Sequence, residues 1–355
     1  MAQKYTKMKV FHFKDKIDTL TKDIKTILAP IHLRIKPTNF CNHNCSYCAY
    51  RNSNLQLGQD MNVRDFIPKE KMYEIIDDLV EMKVKAITFS GGGEPFCYPF
   101  MTDTIKRLST TNIKFASLTN GGLLKGEVAQ LFAKHGSWVR VSMDGWNDSS
   151  YIKYRSVQDG EYTRIIQNMK NFKKFDGKCH LGVSIIVDKT NALHIYELSL
   201  VLKRIGVDSV KVSPCIISNS GTENNEYHSR IYDAVKSQIE LVKKEASESF
   251  EVYDSYHLQL ETFDKNYTWC PYHQILAVIG ADLNIYPCQD KAYNLETGLI
   301  GTIKDKRFKD FWFSDKNNFF KINPSLVCNH HCVANDKNKL ILDYLDADKD
   351  HLDFV

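Results

Sequence analysis

Eight residues, Cys41-Asn-His-Asn-Cys45-Ser-Tyr-Cys48, decide how the rest of the chain is interpreted. They place three cysteines in a C-x3-C-x2-C pattern. The preceding residues 31–35 alternate apolar and polar side chains like a buried strand, and Pro37 then breaks that strand. The three thiols are therefore predicted on a loop at the C-terminal end of a strand, where α/β folds place their chemistry.

Three closely spaced thiolates are soft ligands that suit an iron–sulfur cluster or zinc. Because three cysteines leave one coordination position open, a [4Fe–4S] cluster bound here would have one iron free to take a small molecule. A zinc site would need a fourth ligand nearby, and His43 is so close to Cys41 that the chelate would be strained. Cysteines that only pack are a third interpretation.

Helical and strand patterns alternate from Pro68 to residue 213, which predicts a parallel sheet with right-handed crossovers. The predicted strands cover residues 31–35, 85–90, 114–118, 138–142, 180–187 and 209–213. The predicted helices begin at Pro68 and then cover residues 100–108, 123–135, 162–175 and 192–205. Six units are too few for a closed eight-unit barrel, and a flavodoxin-like open sheet is the alternative. In either fold the loops after parallel strands share one rim.

Four segments on this predicted rim carry polar or glycine-rich motifs. In chain order they are Ser90-Gly-Gly-Gly-Glu94-Pro95, Thr119-Asn120-Gly121-Gly122, Ser142-Met-Asp144-Gly145 and Tyr154-Arg155-Ser156. Glycines let a backbone approach a ligand where a Cβ would clash. Short polar side chains bind ribose or carboxylate groups, and arginine holds a carboxylate with two donors. Taken alone, the glycine motifs are ordinary turns and Arg155 is equally a surface residue.

With Tyr47 before its last cysteine, the opening motif resembles that of the radical S-adenosylmethionine (radical SAM) superfamily, and the rim motifs extend the resemblance over most of the chain. The resemblance implies a partial (β/α)6 TIM-like barrel and a [4Fe–4S] cluster held by Cys41, Cys45 and Cys48. S-adenosylmethionine would bind the open iron and be split to a 5′-deoxyadenosyl radical that abstracts hydrogen from substrate. The implied electron donor is of the flavodoxin or ferredoxin type.

The same resemblance implies the contacts to S-adenosylmethionine. Gly92, Gly93 and Glu94 match the motif that binds the methionine amino group. The other implied contacts are Tyr47, Asn120 in the cofactor cleft, Ser142 and Asp144 at the ribose, and Arg155 at the methionine carboxylate.

Four further cysteines lie in the C-terminal region: Cys270, Cys288, Cys328 and Cys332. Residues 274–287 predict a β-hairpin between the first two. Four thiols of this kind could hold zinc or a second cluster. The arrangement resembles the twitch domain, a shortened SPASM extension, which implies an auxiliary [4Fe–4S] cluster ligated by all four cysteines. The three-residue gap of the last pair, where two is more usual, and the adjacent His330-His331 leave a histidine ligand open.

A second cluster implies chemistry beyond simple cleavage, because it can accept an electron from a substrate radical. Relatives with twitch domains include an alcohol dehydrogenase of aminoglycoside biosynthesis. We therefore expect oxidation of a small polar metabolite, such as a sugar or cyclitol, with Asp290 as the candidate proton acceptor. Gln289 directly follows Cys288, where some SPASM oxidases have aspartate, which argues against a sulfatase-maturating enzyme.

Three alternatives to this oxidation remain at the level of sequence. Cys215, just past the sixth strand, is a candidate hydrogen-atom donor in a radical epimerase, although free cysteine is usually a small buried apolar residue. Cys97 and Cys179 are weaker candidates for the same role. A peptide substrate is less expected because residues 1–30 are too short for a leader-recognition domain. A non-catalytic zinc or iron–sulfur scaffold is the third alternative.

The bulk composition agrees with a folded enzyme of one barrel-sized domain plus an appendage. Over 355 residues the chain is 43% apolar and 25% charged, with a net charge of +4, so neither nucleic acid nor membrane is an expected partner. No apolar run approaches membrane-spanning length and no signal peptide is recognised, so we expect a cytoplasmic protein with reduced cysteines. The predicted boundaries are an N-terminal extension at 1–30, the barrel at 31–220, a helical connector at 221–265 and the auxiliary domain at 266–355.

Overall fold

The computed structural model describes residues 4–22, 27–261, 263–314, 319 and 322–353. Within these ranges ten strands form one sheet, in the order β10-β9-β8-β1-β2-β3-β4-β5-β6-β7. The strands are β1 His32–Ile35, β2 Ala86–Phe89, β3 Lys114–Thr119, β4 Trp138–Met143, β5 His180–Val187, β6 Ser209–Pro214, β7 Glu251–Asp254, β8 Leu276–Ile279, β9 Asn284–Tyr286 and β10 Gly301–Thr302.

The first six strands confirm the predicted fold class. They pair in parallel and follow one another in the sheet in chain order, as the register His32↔Ala86 and Trp138↔His180 illustrates. A flavodoxin-like sheet would instead reverse its winding direction at a switch point. The sequential order is that of a partial (β/α) barrel, so the open-sheet alternative is wrong.

Helices connect the strands and pack on their outer face. They are α1 Lys14–Asp18, α2 Lys69–Glu81, α3 Met101–Ser109, α4 Gly126–His135, α5 Asp148–Arg155, α6 Glu161–Phe172, α7 Ile195–Arg204, α8 Gly221–Ser229, α9 Tyr232–Lys244, α10 Tyr256–Glu261, α11 Leu295–Gly298, α12 Phe308–Trp312, α13 Pro324–Val327 and α14 Asn335–Asp346. Short 3-10 helices cover Lys7–His12, Pro95–Cys97, Pro271–Gln274, Gln289–Lys291 and Lys349–His351. The apolar residues expected on one face of α2 are Met72, Ile75, Ile76, Leu79 and Val80. All are buried except Val80, which is 46% exposed. No helix in the described ranges is both long and apolar enough to cross a membrane.

The predicted helical connector at 221–265 is not one continuous helix: the expectation of a long polar helix over residues 223–249 within it is wrong. The structure divides this stretch into α8 and α9, and then adds a seventh parallel strand, β7, beside β6. Residues between the two helices turn at Ile231, whose N–H donates to the carbonyl of His228 (3.0 Å). The helical connector therefore contributes a strand to the barrel.

The predicted hairpin is present and also joins the barrel. Strands β8 and β9 are antiparallel, and β8 pairs in parallel with β1 over its full length, from His32↔Leu276 to Ile35↔Ile279. The strand that leads into the first cysteine motif is thus hydrogen-bonded directly to the strand of the C-terminal hairpin. This pairing fixes the distance between the two cysteine sets.

The N-terminal segment packs against the C-terminal end of the chain. Val10, Ile17 and Leu20 share a small apolar cluster with Ile275, which precedes β8, and Ile341 on α14. For residues 1–30 the sequence predicts a short helix or strand on the outside of the barrel, and the structure has helices over Lys7–His12 and α1. The N-terminal segment and α14 therefore lie on the same side of the barrel.

Candidate active site

The three cysteines of the first motif lie on the loop after β1, at the wall of a cavity of about 380 Å³. Each is half-buried. The N–H of Cys48 donates to the carbonyl of Cys45 (3.1 Å), which closes a turn between the last two thiols. The loops after β2, β3 and β6 contribute to the same cavity, together with Ser142 at the end of β4 and Arg155 at the end of α5.

The end of α5 holds this cysteine loop in place. The N–H of Asn44 donates to the carbonyl of Arg155, and the N–H of Ser46 donates to the carbonyl of Tyr154, both at 2.9 Å. The last carbonyls of a helix lack partners within the helix, so the loop satisfies groups that would otherwise be unpaired. Helix and loop therefore position each other.

Arg155, Asp144 and Tyr47 form a buried network behind the loop. The Arg155 guanidinium donates to Asp144 Oδ2 through Nε (2.9 Å), and its Nη2 forms an ion pair with the same oxygen (2.6 Å). The Tyr47 hydroxyl also donates to Asp144. Asp144, predicted to contact the ribose, and Arg155, predicted to contact the methionine carboxylate, thus bind each other. Arg155 also borders the cavity.

Arg155 also reaches the Cys45 sulfur. Burial raises the pKa of the Cys45 thiol, and the positive charge and hydrogen bond of Arg155 act in the opposite direction. A guanidinium beside one thiol of the motif stabilises its thiolate, which is the form that binds iron.

The glycine loop packs on the residues that lead into Cys41. The N–H of Gly93 donates to the carbonyl of Thr38 (3.1 Å), and that of Glu94 donates to the carbonyl of Phe40 (2.9 Å). A Cβ on Gly93 would overlap the carbonyl oxygen of Phe40. In the sequence, these glycines indicate close approach to a ligand. In the structure, Gly93 closely approaches the protein backbone at Phe40.

Glu94 is buried, and both its carboxylate oxygens accept hydrogen bonds from the protein. The donors are the N–H of Phe96 (3.1 Å), the hydroxyl of Thr119 (2.6 Å) and the N–H of Asn120 (2.6 Å). Burial raises the pKa of Glu94, and these bonds oppose the shift. Glu94 therefore ties the loop after β2 to the end of β3.

Asn120 and Ser142 both border the cavity. The Asn120 amide donates to Asn42 Oδ1 inside the cysteine motif (2.8 Å), and its Oδ1 accepts from the N–H of Gly122 (2.9 Å). Ser142 is half-buried at the end of β4. Like the other predicted cofactor contacts, these two assignments stay predictions.

His43 is not directed at the cysteines. Its Nε2 lies 3.0 Å from Glu161 Oε1, and Glu161 in turn pairs with Arg164 on the same helix. Burial lowers the pKa of His43 to about 4. Sequence reasoning missed Glu161, whose only signal was its place at the start of a helix.

Lys36 was also missed. It follows β1, is fully buried, and donates to the Tyr50 hydroxyl (2.5 Å) and to the carbonyl of Gly91. Burial lowers its pKa, and the charges on Asp290 and Cys288 oppose the shift. Lys36 thus lies beneath the glycine loop, between the two cysteine sets.

The second cysteine set gathers thiols from four separate positions. Cys270 precedes a 3-10 helix, Cys288 follows β9, and Cys328 and Cys332 lie between α13 and α14. Burial raises the pKa of Cys288, and negative charges on the three other thiols act in the same direction. Four mutually interacting thiols are a suitable donor set for an iron–sulfur cluster or zinc.

The two histidines of the last loop bind amides. His330 Nδ1 accepts from Gln56 Nε2, and His331 Nε2 lies against Asn225 Oδ1, both at 3.0 Å. In the described ranges, no three cysteine, histidine or acidic side chains converge on one metal-ion position. A cubane is bound through a different iron at each thiolate, so its ligands need not converge on one point.

Both candidate catalytic residues line the cavity that holds the first motif. Burial raises the pKa of Asp290, and Arg34 is the first of the cations that oppose this shift. Cys215 is buried, and burial raises its thiol pKa to about 12. Cys97 and Cys179 lie elsewhere: the first donates to Asn42 (3.5 Å) and the second is buried in the core.

A comparison with protein families supplies the deciding observation. The radical SAM superfamily profile matches residues 35–198, which contain the cysteine motif and all four rim motifs. Residues 35–198 are therefore similar to a radical SAM superfamily domain. The predicted [4Fe–4S] cluster and S-adenosylmethionine are the cofactors that this superfamily implies.

Relatives and solved structures agree with this domain. The chain is 24% identical over 308 residues to a tungsten-containing aldehyde ferredoxin oxidoreductase cofactor-modifying protein of Pyrococcus furiosus, covering 82% of this chain and 83% of the relative. It is 33% identical over 139 residues to a probable GTP 3′,8-cyclase of Methanocaldococcus jannaschii, covering 39% and 44%. Streptococcus suis SuiB bound to S-adenosylmethionine matches in fold, with a TM-score of 0.64, 17% identity and coverage of 88% and 71%.

Proposed function

We propose that this protein is a radical SAM oxidoreductase that removes hydrogen from a C–H bond of a small polar metabolite. The observation that supports this most directly is the shared cavity. It is bordered by Cys41, Cys45 and Cys48 on one side and by Gln289 and Asp290, which follow Cys288, on another. A substrate in this cavity would lie between the two sets of thiols.

The chain's own residues would prepare each part of this reaction. Cys41, Cys45 and Cys48 would hold the cluster, which when bound supplies the electron that splits S-adenosylmethionine into methionine and a 5′-deoxyadenosyl radical. Arg155 would stabilise the Cys45 thiolate and keep the loop in position. The backbone of residues 91–94 would border the methionine end of S-adenosylmethionine.

Oxidation also requires the substrate radical to lose a proton and a second electron. Asp290 is the candidate proton acceptor because it borders the cavity and its raised pKa makes its carboxylate a better base. The auxiliary [4Fe–4S] cluster proposed at Cys270, Cys288, Cys328 and Cys332 would supply the electron acceptor when bound.

Reconstitution without oxygen tests this proposal. Wild-type protein should bind about eight irons with matching sulfide, and should release 5′-deoxyadenosine when reduced with dithionite in the presence of S-adenosylmethionine. Cys45→Ala should lose the cleavage and about half of the iron. Cys288→Ala should lose about half of the iron but keep cleavage. Zinc without sulfide, or no cleavage by wild type, would contradict the proposal and favour a scaffold.

Cys215 supports a second candidate function, radical epimerisation. His228 Nε2 lies 2.9 Å from the carbonyl oxygen of Cys215, which requires a proton on that nitrogen, while Nδ1 lies 3.0 Å from the Tyr256 hydroxyl. His228 is therefore not arranged as a base for the thiol, and the raised pKa keeps the S–H bond intact. An intact S–H bond is what a hydrogen-atom donor needs.

Cys215→Ala separates the two candidates. An oxidase should keep turning over in this variant, whereas an epimerase should stall after hydrogen abstraction. The reaction in deuterated water gives a second readout, because a Cys215 thiol exchanges with solvent and would place one deuterium on an epimerised product. Cys179→Ala is the matched control, since it removes a buried thiol outside the cavity.

A further inference from the structure

A second cavity, of about 260 Å³, lies between the N-terminal segment, β6 and α14. Lysines dominate its wall. They are Lys4, Lys7, Lys9, Lys211 and Lys337. The one carboxylate in the lining, Asp336, is ion-paired with Lys7 (2.6 Å). Lys4 is paired with Glu251 on β7 (2.7 Å), so the remaining lysines carry an excess of positive charge toward the cavity.

The inner wall concentrates cations that form no ion pair among the described residues, although the charge of Arg34 also acts on Asp290 in the main cavity. Lys211 on β6 and Lys337 on α14 are half-buried, and Arg34 on β1 and Arg140 on β4 lie close enough to repel the Lys211 charge. In the described part of the chain, no carboxylate forms an ion pair with any of these four. Arg140 Nε is buried without a hydrogen-bond partner, and its guanidinium lies between the rings of Tyr5 and Trp138.

Such an arrangement is unfavourable unless an anion joins it. Bringing several cations out of water costs desolvation as well as mutual repulsion, and proteins usually offset both with acidic side chains. Thr6, Ser255 and Gln259 add neutral hydrogen-bonding groups to the same wall. Lys337 donates to the Tyr272 hydroxyl (3.2 Å) and Lys9 donates to the carbonyl of Lys4, and both partners are neutral. These bonds leave the positive charges uncompensated, and lysine ammonium groups suit the oxygens of phosphate.

The position of this cavity relates it to the proposed active site. Lys211 belongs to β6, and Cys215, which borders the main cavity, comes four residues later, about 13 Å along an extended strand. The loop before α14 borders both cavities, through His330 and His331 on one side and Cys332 on the other. The two cavities are therefore neighbours along the same strand and the same loop.

We propose that this lysine-lined cavity binds the phosphate groups of the substrate, while the carbon that loses hydrogen lies in the main cavity. The substrate class is then a phosphate-bearing metabolite of about nucleotide length. This inference rests on the proposed function for the location of the reacting carbon. The charge and geometry of the lysine cavity are independent of it.

Calorimetric titration with inorganic pyrophosphate and with GTP, as a representative nucleoside triphosphate, tests the inference on the full-length protein. Wild type should bind pyrophosphate, and Lys211→Met/Lys337→Met should bind it at least about tenfold more weakly, as expected for the loss of two charged contacts. Lys170→Met/Lys236→Met removes the same charge from exposed helix positions and should bind like wild type.

Three outcomes would overturn it. The first is that wild type does not bind pyrophosphate. The second is that both double variants lose affinity equally, which would mean non-specific attraction. The third is equal affinity for pyrophosphate and GTP, which would mean a site for free anions. Dithionite-driven cleavage of S-adenosylmethionine, measured on the same samples, should be unchanged in Lys211→Met/Lys337→Met. Its absence in wild type would contradict the proposed function without affecting the anion measurement.

Discussion

At the scale of single residues, several motif positions stabilise the protein around the site. Glu94 accepts three hydrogen bonds from the protein, and Arg155 and Asp144 bind each other. The motif pattern correctly indicated where these residues gather. It did not indicate that they join neighbouring rim loops, because the partner groups are main-chain amides and side chains from other loops.

Gly93→Ala tests this structural role. The added methyl group would overlap the Phe40 carbonyl and push the residues before Cys41 away, at a cost of about 1–3 kcal/mol for overpacking. We expect a lower urea midpoint and loss of most of the iron bound by the first cysteine set, measured as iron per chain after reconstitution of a Cys288→Ala background.

Gly160→Ala is the control for that experiment. Gly160 has a φ of +81°, so alanine is strained there by about 1 kcal/mol, but its Cβ would meet no atom within 4 Å. This variant should lose stability and keep its iron. Equal iron in the Gly93 and Gly160 variants would show that the glycine loop does not position the cysteines.

At the scale of elements, local periodicity predicted the six barrel strands and their helices, but not how the sheet is extended. β7 consists of four half-buried residues, Glu251-Val-Tyr-Asp254. Their sequence of polar and apolar side chains is as compatible with a polar turn as with a strand. The hairpin over residues 274–287 was predicted, whereas its pairing with β1 was not. That pairing joins residues about 240 positions apart, and no local pattern carries such information.

The same limit applies to the candidate site. The spacing of the first three cysteines predicted one set of ligands, and the alternation of strands and helices predicted a rim where motifs meet, because both depend on nearby residues. The second set was predicted from resemblance, since its cysteines are far apart in the sequence. The contact between Asn44 and the end of α5, and the lysine beneath the glycine loop, depend on three-dimensional packing. Lys36 in particular reads as an ordinary residue at a strand end, and only its complete burial identifies it as part of the site.

At the scale of the whole molecule, a nearly balanced net charge conceals an uneven distribution. The chain carries only +4 in total, yet β1, β4 and α14 each place a cation close enough to Lys211 on β6 to repel its charge. Acidic residues on the outside pair with lysines, for example Asp103 with Lys69 and Glu81 with Lys309. The interior excess appears only when four distant elements are assembled.

The pH dependence of stability should report this interior charge. Burial, with repulsion from Arg140, Arg34 and Lys337, lowers the pKa of Lys211 to about 8 from its usual 10.5. Between these two pH values the unfolded chain holds a proton that folded Lys211 lacks, so the free energy of unfolding rises with pH. Below pH 8 both states are charged, and the folded state bears the whole cost, on the order of 3 kcal/mol.

Lys211→Met removes this dependence. The variant should therefore be more stable than wild type at pH 7 to 8 in the absence of anions, and the difference should shrink toward pH 10.5. Urea unfolding at several pH values between 7 and 10.5 measures it, with Lys236→Met as the control whose curve should run parallel to wild type. Parallel curves for Lys211→Met and wild type would mean that Lys211 is already neutralised by a group of the protein. The excess of interior charge, and with it the reason to expect a phosphate-bearing substrate, would then be lost.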